Sequence, residues 1–190
     1  LSLGDLDGFY KQARAKFDGN ETDGNETFQD RARSRVVLLQ SGDAETRRLW
    51  KLLVNLSTQH FNAVYELLGV LLTDDDLMGE SAYNDLLPQV ITRLDKLGLL
   101  QQSDGADVVF PPGYTNREGD PLPLIVQKGQ GGFNYATSDL ACVIDRIERL
   151  NADLLLYVVG APQAQHLSMV FDVARMAGWL GEPNEAVHVA

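Results

Sequence analysis

One cysteine, Cys142, is all the chain has. No internal disulfide can staple the fold, and no zinc quartet can be assembled. No apolar run approaches the roughly 20 residues that a bilayer-spanning helix needs. Positive charge is scarce, with 16 Lys and Arg against 27 Asp and Glu and a net charge of −11. Such a chain repels phosphate backbones and is a poor non-specific binder of nucleic acid. The start, Leu1-Ser2-Leu3-Gly4-Asp5, has no Met, no basic n-region and no long apolar core, so no secretory signal is read there. A soluble, reducing, cytoplasmic setting without a membrane is the expectation.

Phosphate-binding signatures are missing too. No Walker motif occurs, and Gly129, Gly131 and Gly132 fail the G-x-G-x-x-G spacing. A nucleotide-binding enzyme of another kind therefore lacks its phosphate cradle, and a Gly-rich turn by itself reads first as a tight turn. Asp74-Asp75-Asp76 lacks the alternating ligands, central Gly and distal Glu of a calcium loop. An acidic cap on a turn or helix start is expected there. His60, His166 and His188 have no recognisable partner motifs, so no nucleophilic triad can be assembled.

What is present is an ordinary globular mixture, 44% apolar and 23% charged over 190 residues. That length suits one domain, or one and a small appendage, burying roughly 70% of the unfolded surface. The first 70 residues read as helices. Phe9, Tyr10, Ala13 and Phe17 share one helical face, and Phe28, Ala32, Val36 and Leu39 another. Between them Asp18-Gly19-Asn20-Glu21-Thr22 is repeated as Asp23-Gly24-Asn25-Glu26-Thr27, a duplication expected in a solvated loop, where added length costs little entropy. Ser41-Gly42 stops the second helix, Asp43 is placed to cap a third, and Gly69 suits its C-terminal end. The stripe of that third helix, with Leu49, Leu52 and Leu53 around Trp50, is wide enough to expect cover on more than one side. Leu87, Val90, Ile91, Leu94 and Leu97 make a further amphipathic helix ending at Gly98.

The rhythm then changes. Residues 106–110 and 124–127 read as strands, separated by a Pro- and Gly-rich loop. A helix with Leu140, Val143, Ile144 and Ile147 on one face follows. The continuously apolar stretch 154–159 is the next strand, and Leu167, Val170, Phe171, Ala174 and Ala177 mark the next helix. Strand–helix–strand–helix with apolar strands predicts an α/β fold, a parallel sheet with helices on both faces. Val187-His188-Val189-Ala190 reads as the start of another strand, and both chain ends look like cuts in something longer. The expected division is a mainly helical segment, 1–104, followed by an α/β segment, 105–190.

In parallel sheets ligands bind beyond the carboxyl ends of the strands. Two such loops occur, residues 128–135 and 160–166. Tyr135 and Asp139, four apart, share a face of the helix that begins in the first loop. A carboxylate accepts two parallel N–H bonds from a guanidinium while an aromatic ring stacks on its plane. Asp139 equally suits the favourable dipole at a helix start, and spacing alone does not choose between the two. Gln163, Gln165 and His166 add hydrogen-bonding groups at the neighbouring strand end.

These residues also carry a resemblance. Gln127-Lys128 with Gly131-Gly132-Phe133-Asn134-Tyr135-Ala136-Thr137-Ser138-Asp139-Leu140-Ala141 resembles the arginine-binding segment of arginyl-tRNA synthetases. So, in order along the chain, do Leu39-Gln40-Ser41-Gly42-Asp43, Gly79-Glu80-Ser81-Ala82-Tyr83-Asn84, residues 152–159, Gln163, Gln165-His166-Leu167 and Ala177-Gly178-Trp179. The resemblance implies a class I aminoacyl-tRNA synthetase with a Rossmann-like core interrupted by an insertion. Residues 1–104 would be the insertion segment and residues 105–190 the C-terminal half of that core. It implies arginine, ATP and tRNA(Arg) as substrates, an arginyl-adenylate step, and magnesium accompanying ATP. It also implies Tyr135, Asp139 and Gln163 as the arginine-recognition residues, with Gln165 and His166 behind them or towards ATP.

The family's HIGH-type and KMSKS-type motifs are not found in residues 1–190, and Gly160-Ala161-Pro162 stands where the family usually shows Asp-x-Arg. The expectation is an internal fragment of the catalytic domain with little or no activity alone. An exposed apolar strand edge makes it prone to self-association. The alternative reading is a non-catalytic arginine-binding or protein-interaction module derived from the same core.

Overall fold

The computed structural model describes residues 3–19, 21–23, 26–129 and 131–190. They divide into two compact units, Leu1–Leu77 and Met78–Ala190.

The first unit holds α1 (Leu3–Asp18), α2 (Phe28–Ser41) and α3 (Ala44–Leu68), with a short turn between α2 and α3. The signals read from the sequence act as expected at the second junction. Gly42 takes a left-handed φ of 92° after α2, and the Asp43 carboxylate accepts the Thr46 N–H at 2.8 Å to cap α3. Gly69 ends α3 at φ 67°. The duplicated segment is not wholly irregular, because β1 (Thr22–Asp23) pairs antiparallel with β2 (Glu26–Thr27). Asn20, Gly24 and Asn25 of that duplication lie outside the described residues. Asp74–Asp76 form a 3-10 turn, in which Asp76 accepts the Thr73 N–H at 2.7 Å and Asp74 accepts from the Asn62 amide at 2.8 Å. Among the described residues nothing covers the leucines of α3: Leu49, Leu52 and Leu53 are exposed, and Thr46 is its one buried residue.

The second unit holds the core. α4 (Leu87–Lys96) opens with Pro88 in its first turn, where a missing N–H costs nothing, and buries Leu87, Val90 and Leu94. β3 (Gln101–Ser103), β4 (Ala106–Val109) and β5 (Leu124–Gln127) form an antiparallel sheet in that order. α4 and β3, grouped by the sequence reading with residues 1–104, thus belong to the compact unit that holds residues 105–190. α5 (Tyr135–Glu148) lies between α4 and α6 (Ala164–Met176), burying Leu140, Ala141, Val143 and Ile144 in the common core. Arg93 of α4 clamps Glu148 of α5 through two bonds of 2.5 and 3.1 Å.

β6 (Leu154–Val158) and β7 (Glu185–Val189) pair in parallel, with Leu154 opposite Glu185 and Val158 opposite Val189. The fold is α/β, and this pair is the parallel element among the described residues. Burial on β6 alternates: Leu155 and Tyr157 face the core, while Leu154, Leu156 and Val158 are exposed. An apolar strand with one bare face is what remains when its second covering layer is absent from the described residues.

Candidate functional site

The site is built at the start of α5, beside the carboxyl end of β6. The β5–α5 loop is a closed turn: Lys128 N–H donates to the Gly132 carbonyl and Gly131 N–H to the Lys128 carbonyl, each at 2.8 Å. The Gln127 side chain donates to the Gly131 carbonyl at 2.9 Å. Gly131 sits at φ 80°, and a Cβ on Gly129 would lie 2.5 Å from the Gly105 carbonyl oxygen. These glycines serve a tight turn and a close backbone approach. The Lys128 and Gly131 N–H groups are spent within the loop rather than presented to an anion. Asn134 then starts α5, its side-chain oxygen accepting the Tyr135 N–H at 3.0 Å. Buried Thr137 donates its hydroxyl to the Val126 carbonyl, anchoring the first turn of α5 to β5.

Tyr135 and Asp139 converge on the same group, His166, in the first turn of α6. The Asp139 Oδ2 lies 2.6 Å from His166 Nε2. The rings of Tyr135 and His166 have centroids 4.8 Å apart at 60°. Tyr135 is 58% exposed, whereas the Asp139 and His166 side chains are 30% and 17% exposed. An open phenol thus stands beside a half-sheltered carboxylate, a surface able to receive a planar cation.

Gln163 and Gln165 are not drawn in. Gln163 closes a 3-10 turn, Ala161–Gln163, by donating its N–H to the Gly160 carbonyl at 3.0 Å, and both glutamines are exposed. Neither side chain hydrogen-bonds another described residue. The Gly160-Ala161-Pro162 segment brings no charge to this end of the strand.

Behind Asp139 lies a buried cluster that the sequence did not announce. The Cys142 thiol donates to the Tyr83 hydroxyl at 3.4 Å. The Arg146 guanidinium sits 4.9 Å over the Tyr157 ring, which meets Phe171 edge-on. Burial pushes the Tyr83 phenol up to about 12 and raises Tyr157 and Cys142 above their ordinary values. The negative charge of Asp139 adds to the latter two shifts. The Tyr157 hydroxyl is buried without a hydrogen-bond partner among the described residues. Only the alternation of β6, which turns Leu155 and Tyr157 inward together, could have signalled this position. A separate shallow depression of about 250 Å³ lies between α4 and α5, lined by Arg93, Asp145, Glu148 and Arg149. Its arginines are already paired with its carboxylates.

No group of three His, Cys, Asp or Glu residues that could hold a metal occurs among the described residues. No helix among them is long and apolar enough to cross a membrane.

The family comparison places this α/β chain among the class I aminoacyl-tRNA synthetases. Residues 1–190 match the family described as tRNA synthetases class I (R), catalytic domain, and the chain belongs to that family. Among its relatives is the arginine--tRNA ligase of Thermobifida fusca (strain YX), 55% identical over 185 residues, which covers 97% of this chain and 31% of the relative. That of Nostoc sp. (strain PCC 7120 / SAG 25.82 / UTEX 2576) is 50% identical over 189 residues, covering 100% of this chain and 31% of the relative. The crystal structure of arginyl-tRNA synthetase from Plasmodium falciparum superposes with a TM-score of 0.70 at 26% identity, covering 93% of this chain and 31% of that one. The chain spans about a third of the length of the relatives it matches.

Proposed function

We propose that this chain is the arginine-recognition segment of an arginine--tRNA ligase, an enzyme that joins arginine to tRNA(Arg) with ATP. The observation that carries the reading is the convergence of Tyr135 and Asp139 at the start of α5. A guanidinium placed there receives the Asp139 carboxylate along its edge and the Tyr135 ring against its face. Gln163, exposed just after β6, is a further hydrogen-bonding group for the ligand, and His166 supports the site from α6. The α/β unit is the second half of a Rossmann-like core, and the helical residues that precede it are the insertion segment.

The residues described do not by themselves fit an ATP–magnesium site. Two N–H groups of the glycine turn are committed to its own carbonyls, and no carboxylate group is assembled for a metal. No step through ATP is therefore assigned to this chain. ATP, magnesium and tRNA are partners of the longer enzyme, whose work belongs in the cytoplasm. Alone, this segment carries little or no adenylate-forming activity.

Calorimetric titration with arginine, lysine and citrulline tests the reading. Arginine is expected to bind in preference to the other two, because only it offers a charged planar fork. Asp139→Asn is expected to remove that preference and weaken arginine at least tenfold. Equal affinity for arginine and citrulline overturns the proposal. In a pyrophosphate-exchange assay the chain alone is expected to show no arginine-dependent turnover; exchange at the rate of a full synthetase overturns the assignment of ATP chemistry elsewhere.

A further inference from the structure

We infer that His166 is a positioning residue for the guanidinium site, holding the Asp139 carboxylate in place when neutral and opposing arginine when protonated. The inference rests on the arginine reading above and adds to it a pH control of that same site.

An ionised carboxylate only accepts hydrogen bonds, so the 2.6 Å contact requires that His166 Nε2 carry the proton. The bond engages Oδ2 and leaves Oδ1, with the second lone pair of Oδ2, for a ligand. The imidazole is itself fixed by the Tyr135 ring, so the three side chains form one unit in which each orients another. Removing His166 leaves the carboxylate free to rotate about its terminal torsion and takes away the ring against which Tyr135 rests.

Protonation reverses the effect. An imidazolium binds the carboxylate as a charged competitor and brings a second positive charge within reach of the guanidinium position. Among the described residues the carboxylate paired with the imidazole is Asp139. From α5 the imidazole meets Asp139 and Tyr135. On its own helix and the preceding 3-10 turn it is flanked by Pro162, Gln163, Gln165 and Met169, none of them charged. Cys142 of α5 and Tyr157 of β6 stay protonated through burial, and Arg146 lies over Tyr157. On β7, His188 is engaged with the Val159 carbonyl at 2.7 Å.

The test follows arginine affinity across the range in which imidazoles titrate, from pH 8 to pH 5.5. In the unsubstituted chain the dissociation constant is expected to rise about tenfold on acidification. His166→Gln, which keeps a neutral N–H donor of similar reach, is expected to bind within about threefold of the unsubstituted chain at pH 8 and to lose the pH slope. His166→Ala is expected to bind about tenfold more weakly at pH 8. If both variants bind like the original at every pH, the inference falls while the arginine reading stands. A second readout needs no arginine: nitrogen NMR of His166 is expected to show the Nε2–H tautomer with a slowly exchanging proton, lost in Asp139→Asn. An Nδ1–H tautomer, or a signal indifferent to Asp139→Asn, overturns the inference even in a chain that binds no arginine.

Discussion

At the scale of single residues, the core of the second unit contains one side chain out of keeping with its surroundings. Tyr157 turns inward from β6, 8% exposed, with its hydroxyl unpartnered beside Cys142 and below Arg146. A buried donor without an acceptor forfeits its hydration and gains nothing in exchange. Tyr157→Phe keeps the ring, the edge-on contact with Phe171 and the cation above it. It is therefore expected to leave stability unchanged or raise it by about 1 kcal/mol in chemical denaturation; a loss of similar size would mean the hydroxyl has a partner, a buried water being the simplest. Tyr114 provides the contrast. Its hydroxyl donates to Asp172 at 2.6 Å, and burial with that bond pushes it up to about 12. The sequence offered no means of telling these two phenols apart. Tyr114 and Asp172 are 58 residues apart, and satisfaction of a buried hydroxyl is decided by such distant partners. Tyr135 and Asp139 were legible because four residues on a helix is a geometric statement in itself. The engagement of Asp139 by His166, 27 positions later, was not.

At the scale of elements, punctuation was the most readable feature. Gly42 ends α2, and Asp43 and Gly69 bound α3, as their chemistry dictates, since a cap or a left-handed turn needs only its immediate neighbours. Strand partners were harder. The strand over 124–127 was foreseen, but its antiparallel pairing with β4 was not, because a strand of four residues carries no record of direction. The glycine turn after β5 shows how an element boundary supports the site. Gly129 is held against the backbone of Gly105 in the β3–β4 turn, while Gly132 has nothing within 4 Å of where a Cβ would stand. Gly129→Ala would force two backbone segments apart and displace the start of α5. It is expected to cost about 1–3 kcal/mol in denaturation and to weaken arginine binding with it. Gly132→Ala is the control and is expected to change little. Equal behaviour of the two variants would show that the approach to Gly105 does not position the helix.

At the scale of the whole molecule, the apolar strand over 154–159 predicted cover on both faces, yet Leu154, Leu156 and Val158 of β6 are 51%, 56% and 77% exposed. One edge of β6 also has no strand beside it among the described residues. Composition could reveal that this strand belongs inside a sheet, but not which layers accompany it in a chain spanning about a third of its relatives. A bare apolar face next to an open edge favours pairing with a second copy. Opposing it, each chain carries a formal net charge of −11, so two copies repel at low ionic strength. These forces respond oppositely to salt. Screening weakens the repulsion while leaving apolar contact intact, so sedimentation velocity is expected to show association that grows with protein concentration and strengthens from low to physiological salt. Leu156→Lys places a charge in the middle of the bare face and is expected to return the chain to a monomer under the same conditions. A strictly monomeric profile at high concentration and moderate salt would reject association through β6. Association that survives Leu156→Lys would move the contact to another surface.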